Sequence, residues 1–161
     1  MSKPDLAIFD LDNTILNGDS DYSMINYLID INLLGKNAKL KNEQFIQDYQ
    51  RGQLDFNQYT NFALKPYIGM TQKEINEIIM PFVENIIEPM INIFALKLLH
   101  EHYEKEHKLL LASATNELIV KPIAKRLEIK NVIATKVEFK NNKCTGEFIP
   151  PSALGEGKLQ L

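Results

Sequence analysis

Residues 6–15 read Leu-Ala-Ile-Phe-Asp-Leu-Asp-Asn-Thr-Ile, a run of four apolar residues followed by two aspartates one position apart. A short apolar run bounded by polar turn residues is typical of a buried strand, so we predict that the first strand ends at Asp10. Side chains alternate along an extended chain, which places Asp10 and Asp12 on the same side. Because an unpaired buried carboxylate is costly, the pair indicates a site where a cation or a reacting group faces it.

Length and composition describe an ordinary globular chain. The 161 residues suffice for one domain, or for a compact core with one insertion, and 45% of them are hydrophobic against 24% charged. The net charge of -3 gives no reason to expect nucleic acid or an anionic membrane surface as a partner. Cys144 is the single cysteine, which excludes an intrachain disulfide framework and a multi-cysteine zinc site. Since no signal-peptide or transmembrane stretch is found, we expect a cytoplasmic protein.

A long helical region is predicted after the first strand. Apolar residues recur there at helical spacing without any strong strand pattern, and residues 71–74, Thr-Gln-Lys-Glu, have the form of a capping box. Pro89 is predicted to begin a further long helix. We therefore interpret residues 17–88 as an all-helical cap, inserted into a core formed by residues 1–16 and 89–161.

The second half of the chain alternates strands and helices. Residues 108–112 and 131–135 are candidate buried strands separated by a helical pattern, which predicts a right-handed parallel crossover. Residues 137–139 and 145–148 are shorter extended pieces that flank a polar turn and predict a hairpin. The predicted fold class is α/β, a three-layer Rossmann-like parallel sheet with the helical cap inserted.

Two polar motifs are expected at the same edge of this sheet. Ligands of open parallel sheets gather at the carboxyl ends of the strands, where Asp10 and Asp12 follow the first strand and Ser113 follows the second. We predict that Ser113 lies at or beside a helix N-terminus, whose main-chain amides favour an anion. Carboxylates and an anion site together suit a phosphate ester held against a divalent cation.

At these residues the chain resembles the haloacid dehalogenase-like phosphatases, in particular the branch similar to phosphoserine phosphatase that carries a helical cap. Residues 7–14 fit the first family motif, apolar residues followed by Asp-x-Asp-x-Thr. The resemblance implies that Asp10 is the nucleophile that forms an aspartyl-phosphate and that Asp12 is the acid/base. It also implies Mg²⁺ as cofactor, held by the Asp10 carboxylate and the Asp12 main-chain carbonyl.

The second and third family motifs have counterparts here. The resemblance implies that Ser113, with main-chain amides that include Ala114, holds the phosphoryl oxygens. Residues 155–158 read Gly-Glu-Gly-Lys and are similar to the third motif, in which Lys158 would neutralise charge between nucleophile and phosphate. The implied function is the magnesium-dependent hydrolysis of a small phosphorylated metabolite, a phosphomonoester.

The fourth family motif, an acidic pair that completes the metal site, is expected after Lys158 but has no counterpart before the chain ends at Leu161. The same missing segment would supply strands beside the first strand, so an apolar sheet edge is expected to be exposed. The sequence is then either a fragment of a longer protein or is completed by another chain. The alternative function is a non-catalytic domain whose exposed edge binds a partner or pairs with itself.

Other metal sites and reactive groups are disfavoured by sequence. A calcium loop of the EF-hand type needs glycine where Ile15 stands. Three histidines lie among glutamate and lysine at the polar end of a helix, so we predict a solvated surface for His100, His102 and His107. Cys144 lies in the hairpin without a partner, and a reactive role is not expected.

The predicted cap offers two polar candidates for substrate recognition. Asp19 follows the first motif and, with Ser20, is also placed to cap the first helix. Arg51 could pair with a carboxylate or phosphate of the substrate. The family branch suggests phosphoserine, but residues 17–21 lack the glutamate that we associate with its recognition, so the leaving group stays open.

Overall fold

The computed structural model describes residues 5–154. Its strands are β1 (Leu6–Phe9), β2 (Lys108–Asn116), β3 (Asn131–Lys140) and β4 (Lys143–Ile149). Its α-helices are α1 (Ser20–Asp30), α2 (Ala38–Gln50), α3 (Phe56–Leu64), α4 (Gln72–Phe82), α5 (Glu88–Met90), α6 (Ile93–Glu104) and α7 (Glu117–Arg126). Tighter or wider helical turns span Leu11–Ile15, Lys65–Tyr67 and Val83–Ile87. None of these helices has the length and apolar character needed to cross a membrane.

The strands form one sheet in the order β1-β2-β3-β4. β1 runs parallel to β2 with Leu6 opposite Lys108, and β2 runs parallel to β3 with Leu111 opposite Val132. β4 returns antiparallel to β3. Helix α7 lies between β2 and β3 in the chain and packs against both strands. The prediction of an α/β fold around a parallel sheet is confirmed.

The side chains on the two faces of β1 differ in burial. Ala7 and Phe9 are buried, and the Phe9 ring meets His102 of α6 edge-on with the ring centroids 5.8 Å apart. Leu6 and Ile8, which point to the opposite face, are 56% and 62% exposed. Within residues 5–154, β1 is therefore an edge strand with exposed apolar side chains. Self-association or a completing segment at this surface remains a prediction.

The predicted hairpin is present, but its first strand is longer than expected. β3 is continuous from Asn131 to Lys140, so it joins the third strand and the first arm of the hairpin, which the sequence pattern separated. Asn141 and Asn142 both have positive φ, 50° and 62°, as a two-residue hairpin turn requires. The backbone of β4 then pairs with the loop between α3 and α4, since Cys144 exchanges two 2.8 Å hydrogen bonds with Gly69 and Met70.

The helical region contains α1 to α4, and two of its predicted caps are confirmed. Asp19 accepts a 2.8 Å hydrogen bond from the Tyr22 amide at the start of α1. Thr71 and Glu74 form the capping box of α4, in which each side chain accepts from the other residue's amide. The division of the chain into core and cap at residues 17–88 remains a prediction.

The prediction that Pro89 begins a long helix is wrong. Helical structure continues from α4 through residues 83–87 into α5, and the next helix, α6, begins only at Ile93. The physical reason is the capping of α6 by Asn92, whose side chain accepts a 2.9 Å hydrogen bond from the Phe94 amide. Pro89 lies instead in the first turn of α5, where its missing N–H costs little.

The predicted solvated histidine surface is only partly present. His100 is exposed, but His102 and His107 are half-buried with their Nδ1 atoms 2.9 Å apart. The contact with Phe9 explains the difference, because it draws the end of α6 onto the sheet. Residues 5–154 contain no group of three His, Cys, Asp or Glu side chains that could hold a metal ion. Cys144 is buried, and burial raises the pKa of its thiol, which agrees with an unreactive cysteine.

Candidate active site

A cavity of about 220 Å³, called the site cavity below, lies at the carboxyl ends of β1 and β2. Its polar lining comes from the turn after β1, the start of α1 and the end of β2, and its apolar lining comes from α2 and α3. The lining residues from β1, its following turn and β2 are Asp10, Asp12, Asn13, Ser113, Ala114 and Thr115. Those from the helical region include Asp19, Asp21, Tyr22, Phe45, Tyr49, Phe56 and Tyr59. The sheet and the helical region therefore line one common cavity.

Asp10 and Asp12 both reach this cavity because the chain leaves β1 in a broken helical turn. Asp10 has extended dihedral angles (φ -85°, ψ 158°), and Asp12 and Asn13 are non-helical, with Asn13 at φ 56°. The Asn13 amide donates a 2.9 Å hydrogen bond to the carbonyl of Gly18, which closes the turn. The predicted placement of the two aspartates in a common site therefore agrees with the geometry.

Asp12 is held by hydrogen bonds to both of its carboxylate oxygens. Oδ1 accepts from the Ser20 amide at 2.6 Å, and Oδ2 accepts from the Thr115 hydroxyl at 2.9 Å. One bond comes from the start of α1 and the other from β2, so the orientation of Asp12 depends on contacts across the cavity. A carboxyl group fixed in this way is suited to exchange a proton with one defined position.

Ser113 lines the cavity, but the prediction that it lies at or beside a helix N-terminus is wrong. β2 continues through Asn116, and α7 begins only at Glu117. The strand is extended by pairing with β3, in which Asn116 lies opposite Thr135, although the register shifts between Ala112 and Asn116. The Ser113 hydroxyl accepts a 3.2 Å hydrogen bond from the Thr115 amide, so this irregular segment is ordered by its own side chains.

The remaining predicted site residues fall in three different places. Ala114 and Asp19 line the site cavity. Arg51 is exposed at the end of α2 and does not line it, so the structure does not bring Arg51 to the other candidates. Lys158 lies outside the described residues.

Sequence reasoning missed Asp21, Tyr59 and Thr115 as members of this site. Asp21 is two positions after Asp19 on the first turn of α1, and Tyr59 comes from α3. Only Thr115 had a sequence signal, since it follows Ser113 by two positions and lies on the same side of an extended chain. The other two are brought in by packing between helices, for which no local pattern exists.

The site cavity is strongly acidic. Its lining in the described part of the chain includes four aspartates and no lysine or arginine. Burial raises the pKa of Asp19 to about 6, with the Asp12 carboxylate as the second cause. Burial also raises the pKa of Asp21 well above its ordinary value, and the carboxylates of Asp19 and Asp12 add to the shift. The cavity therefore favours a ligand or ion that brings positive charge.

The oxygen donors of Asp10 and Asp12 fit magnesium in chemical type. Magnesium prefers oxygen ligands and commonly keeps several waters, and the Asp10 carboxylate and the Asp12 main-chain carbonyl are oxygen donors of the kind it takes. A group of three acidic, histidine or cysteine ligands is not found within residues 5–154. The fit therefore rests on the two donors of the Asp-x-Asp turn.

Comparison with known proteins identifies the family. A model of the haloacid dehalogenase-like hydrolases matches residues 7–161. A histidinol-phosphatase from Neisseria meningitidis serogroup C is 36% identical over 156 residues, which cover 96% of this chain and 70% of that protein. A crystal structure of a Bordetella pertussis protein of unknown function aligns with a TM-score of 0.89 at 28% identity, covering 99% of this chain and 72% of that one.

A more distant structure supports the same fold. A phosphoserine phosphohydrolase-like protein from Francisella tularensis aligns with a TM-score of 0.63 at 18% identity, over 91% of this chain and 65% of that one. The family match covers nearly the whole chain and includes the Asp-x-Asp turn that lines the site cavity. The chain belongs to the haloacid dehalogenase-like hydrolase family, as its motifs predicted.

Proposed function

We propose that this protein hydrolyses a small phosphomonoester in a magnesium-dependent reaction through an aspartyl-phosphate at Asp10. The observation that carries the proposal is the arrangement of Asp10, Asp12 and Ser113 around one cavity, with both oxygens of Asp12 held by hydrogen bonds. An exposed carboxylate beside an oriented carboxyl group meets the needs of a nucleophile and of an acid/base.

In the first step the Asp10 carboxylate attacks phosphorus, and the bond between phosphorus and the alcohol oxygen breaks. Asp12 in its protonated form gives its proton to that oxygen, which leaves as the alcohol. The Ser113 hydroxyl donates to an oxygen of the transferring phosphoryl group. The product of this step is an acyl phosphate on Asp10.

In the second step Asp12, now ionised, takes a proton from a water molecule that attacks the phosphorus of the acyl phosphate. Inorganic phosphate leaves, and the carboxylates of Asp10 and Asp12 return to their starting states. Magnesium, bound by the Asp10 carboxylate and the Asp12 carbonyl, would offset the negative charge of phosphate and carboxylates. The family resemblance gives Lys158 the same charge-neutralising role, and we keep it in the proposal.

The first substrate to test is histidinol phosphate. The proposal follows from the Neisseria relative, whose name states this activity and which this chain covers over 70% of its length. Residues 17–88 are proposed as a cap that covers the cavity during phosphoryl transfer and admits water for the second step. A cytoplasmic location is retained as part of the proposal.

Phosphate release from histidinol phosphate with magnesium tests the catalytic assignment. The wild type, Asp10→Asn and the control Asp30→Asn are compared, because Asp30 is an exposed aspartate of α1 that does not line the cavity. We expect Asp10→Asn to lose activity by at least about 1000-fold, as nucleophile removal does in other enzymes, and Asp30→Asn to stay near the wild type. Equal phosphate release by the wild type and Asp10→Asn would overturn the assignment.

The exposed apolar side chains of Leu6 and Ile8 favour a second candidate, a binding or assembly module without catalysis. Sedimentation of the wild type and of a Leu6→Lys/Ile8→Lys variant tests it. Self-association that the lysines abolish, in a chain that releases no phosphate, would support this second function. A monomeric wild type would count against self-assembly.

A further inference from the structure

Asp21 connects α1 with α3 and with the end of β2. It lies in the first turn of α1, and its Oδ1 accepts a 3.3 Å hydrogen bond from Nδ2 of Asn116. Tyr59 of α3 and Thr115 of β2 form hydrogen bonds with the same carboxyl group. The Asp21 side chain is only partly exposed, and it lines the site cavity. Its carboxyl group is therefore held by a network of side chains at the cavity wall.

The Thr115 hydroxyl lies between two carboxyl groups, those of Asp12 and Asp21. It donates to Oδ2 of Asp12 at 2.9 Å and also forms a hydrogen bond with Asp21. A threonine hydroxyl has one hydrogen to donate, so it cannot donate to both carboxyl groups at once. While Thr115 donates to Asp12, its hydrogen bond with Asp21 needs a hydrogen from Asp21 itself. With this direction, both contacts are satisfied when Asp21 is protonated.

The surroundings of Asp21 favour that protonated form. Burial raises the pKa of the Asp21 carboxyl group well above its ordinary value, and the carboxylates of Asp19 and Asp12 raise it further. The hydrogen bonds with Tyr59 and Thr115 oppose this shift but are the smaller causes. In the described part of the chain, no lysine or arginine lines the cavity to offset the negative charges. Asp21 is therefore the carboxyl group of this pair that holds a proton most readily.

The direction of the hydrogen-bond chain affects the proposed acid, Asp12. Its Oδ1 accepts from the Ser20 amide and its Oδ2 accepts from Thr115. While Thr115 donates to Asp12, it does not bind the proton that Asp12 carries for the leaving group, and that proton faces the cavity. An ionised Asp21 would instead accept the Thr115 hydrogen, and Thr115 would then accept the Asp12 proton. The proton would be held away from the leaving oxygen.

We propose that Asp21 is a positioning residue that acts in its protonated form: its carboxyl group donates to Thr115, so that Thr115 donates to Asp12 and the Asp12 proton stays available to the leaving oxygen. In this role Asp21 acts through Thr115 and binds neither substrate nor metal. The proposal rests on the proposed phosphatase function and deepens it, because Asp21 lies outside the family motifs found in the sequence.

The first test measures the protonation of Asp21 and does not depend on activity. Infrared difference spectra at neutral pH with magnesium compare the wild type with Asp21→Asn, and isotopic labelling of aspartate carboxyl carbons identifies the C=O band of a protonated aspartate. We expect the wild type to show this band and Asp21→Asn to lose it. The control Asp30→Asn, at an exposed position of α1, should keep it. A wild type without the band would overturn the proposal.

The second test uses the leaving group to distinguish positioning from structural support. The kcat/KM covers the steps up to the aspartyl-phosphate, in which an alkyl alcohol needs the Asp12 proton whereas p-nitrophenolate leaves without one. Asp21→Leu removes the donor to Thr115. We expect its loss of kcat/KM on histidinol phosphate to exceed its loss on p-nitrophenyl phosphate by about tenfold, with KM little changed. Equal losses on both esters, or a loss that lies in KM alone, would overturn the proposal.

Asparagine at position 21 tests whether the neutral form suffices. Its amide keeps an acceptor for Asn116 and Tyr59 and a donor for Thr115, but it carries no charge. We expect Asp21→Asn to recover most of the loss on histidinol phosphate that Asp21→Leu causes. The control Asp30→Leu makes the apolar change on the exposed surface of α1 and should retain activity on both esters. A loss in Asp21→Asn as large as in Asp21→Leu would show that the charge is required and would overturn the proposal.

A double-mutant cycle tests whether Asp21 acts through Thr115. In the wild-type background, Asp21→Leu should lower kcat/KM for histidinol phosphate about tenfold, but in the Thr115→Val background it should lower it by no more than about twofold. Losses that multiply would show that the two residues act independently, which contradicts the proposed chain.

The outcomes separate this proposal from the proposed function. A chain that hydrolyses neither ester rejects the phosphatase assignment and, with it, the catalytic use of Asp21. A chain that hydrolyses both esters but lacks the protonated band, or in which Asp21→Leu slows both esters equally, keeps the phosphatase assignment and rejects the positioning role.

Discussion

Replacement of Asp19 by asparagine is expected to stabilise the folded protein at neutral pH. Burial raises the pKa of Asp19 from 3.8 to about 6, and the Asp12 carboxylate adds to the shift. The folded state thus holds this proton more tightly than the unfolded chain. Below about pH 4, Asp19 has no effect on the free energy of unfolding. As the pH rises through about 6, ionisation of the buried Asp19 lowers that free energy. At neutral pH, asparagine removes that loss.

The pKa shift of Asp19 sets an upper limit to the gain in stability. A difference of roughly two pKa units corresponds to about 3 kcal/mol, at about 1.4 kcal/mol per unit. Partial exposure and salt screening reduce this figure, so we expect a gain of about 1 to 3 kcal/mol in the free energy of unfolding. Asparagine is as good a helix cap as aspartate, so the 2.8 Å hydrogen bond from the Tyr22 amide should persist.

Urea denaturation followed by circular dichroism, in the presence of EDTA and at about pH 7.5 and pH 4, measures this gain. The matched control is Asp55→Asn, because Asp55 caps α3 in the same way, through a 3.0 Å hydrogen bond from the Gln58 amide, but is exposed. We expect Asp55→Asn to be neutral or destabilising by up to about 1 kcal/mol, since an exposed carboxylate favours a helix N-terminus.

Burial of the Asp19 charge and a helix-cap role alone lead to different results in these titrations. If Asp19→Asn and Asp55→Asn lowered stability by similar amounts at both pH values, Asp19 would be acting only as a helix cap. A gain at about pH 7.5 that vanished at about pH 4, for Asp19 alone, would support the burial argument.

Three further changes have distinct expected results. Gly146→Ala should lower the free energy of unfolding by about 1 to 2 kcal/mol in urea titrations, because Gly146 has φ +85° and an added Cβ would lie 2.6 Å from Cγ1 of Ile68. Arg51→Ala should leave kcat/KM within about threefold of the wild type, because Arg51 is exposed away from the cavity; a loss above about tenfold would contradict its placement. Thr115→Val should lower kcat about tenfold with little change in KM, because the Thr115 hydroxyl orients Asp12; an unchanged kcat would contradict that role.

Gly52→Ala is the control for the substitution at Gly146. Gly52 also has a positive φ, +68°, but an added Cβ there would meet no atom within 4 Å. The stability difference between the two variants therefore measures the crowding against Ile68. If Gly146→Ala lowered the free energy of unfolding no more than Gly52→Ala does, the close approach of β4 to the helical region would not affect stability.

The parts of the fold that sequence predicted are those set by local pattern. The apolar run before Asp10 predicted β1, and the capping box at Thr71 predicted the start of α4. The aspartate pair was placed in one site by assuming that strand alternation continues past Asp10, and the structure brings both side chains to the cavity through the broken helical turn after β1 instead. In each case the determining residues lie within one turn or one strand.

The parts that sequence missed are set by contacts between distant segments. The extension of β2 past Ser113 depends on pairing between Asn116 and Thr135, which no local pattern indicates. Asp21 becomes part of the site only because α3 packs Tyr59 beside it. Arg51 was selected for its chemical type, but its position at the exposed end of α2 removes it from the cavity.

The pairing of β1 with β2 has a consequence for how the protein forms during synthesis. Leu6 pairs with Lys108, so β1 cannot pair with β2 until about 100 further residues have been synthesised. At the usual translation rate that wait lasts about 5 to 20 s, during which the intervening helices can form through their local contacts. The ribosome therefore releases β1 long before the cavity at its carboxyl end can assemble, and the apolar side chains of Leu6 and Ile8 are available for chaperone contact in that interval.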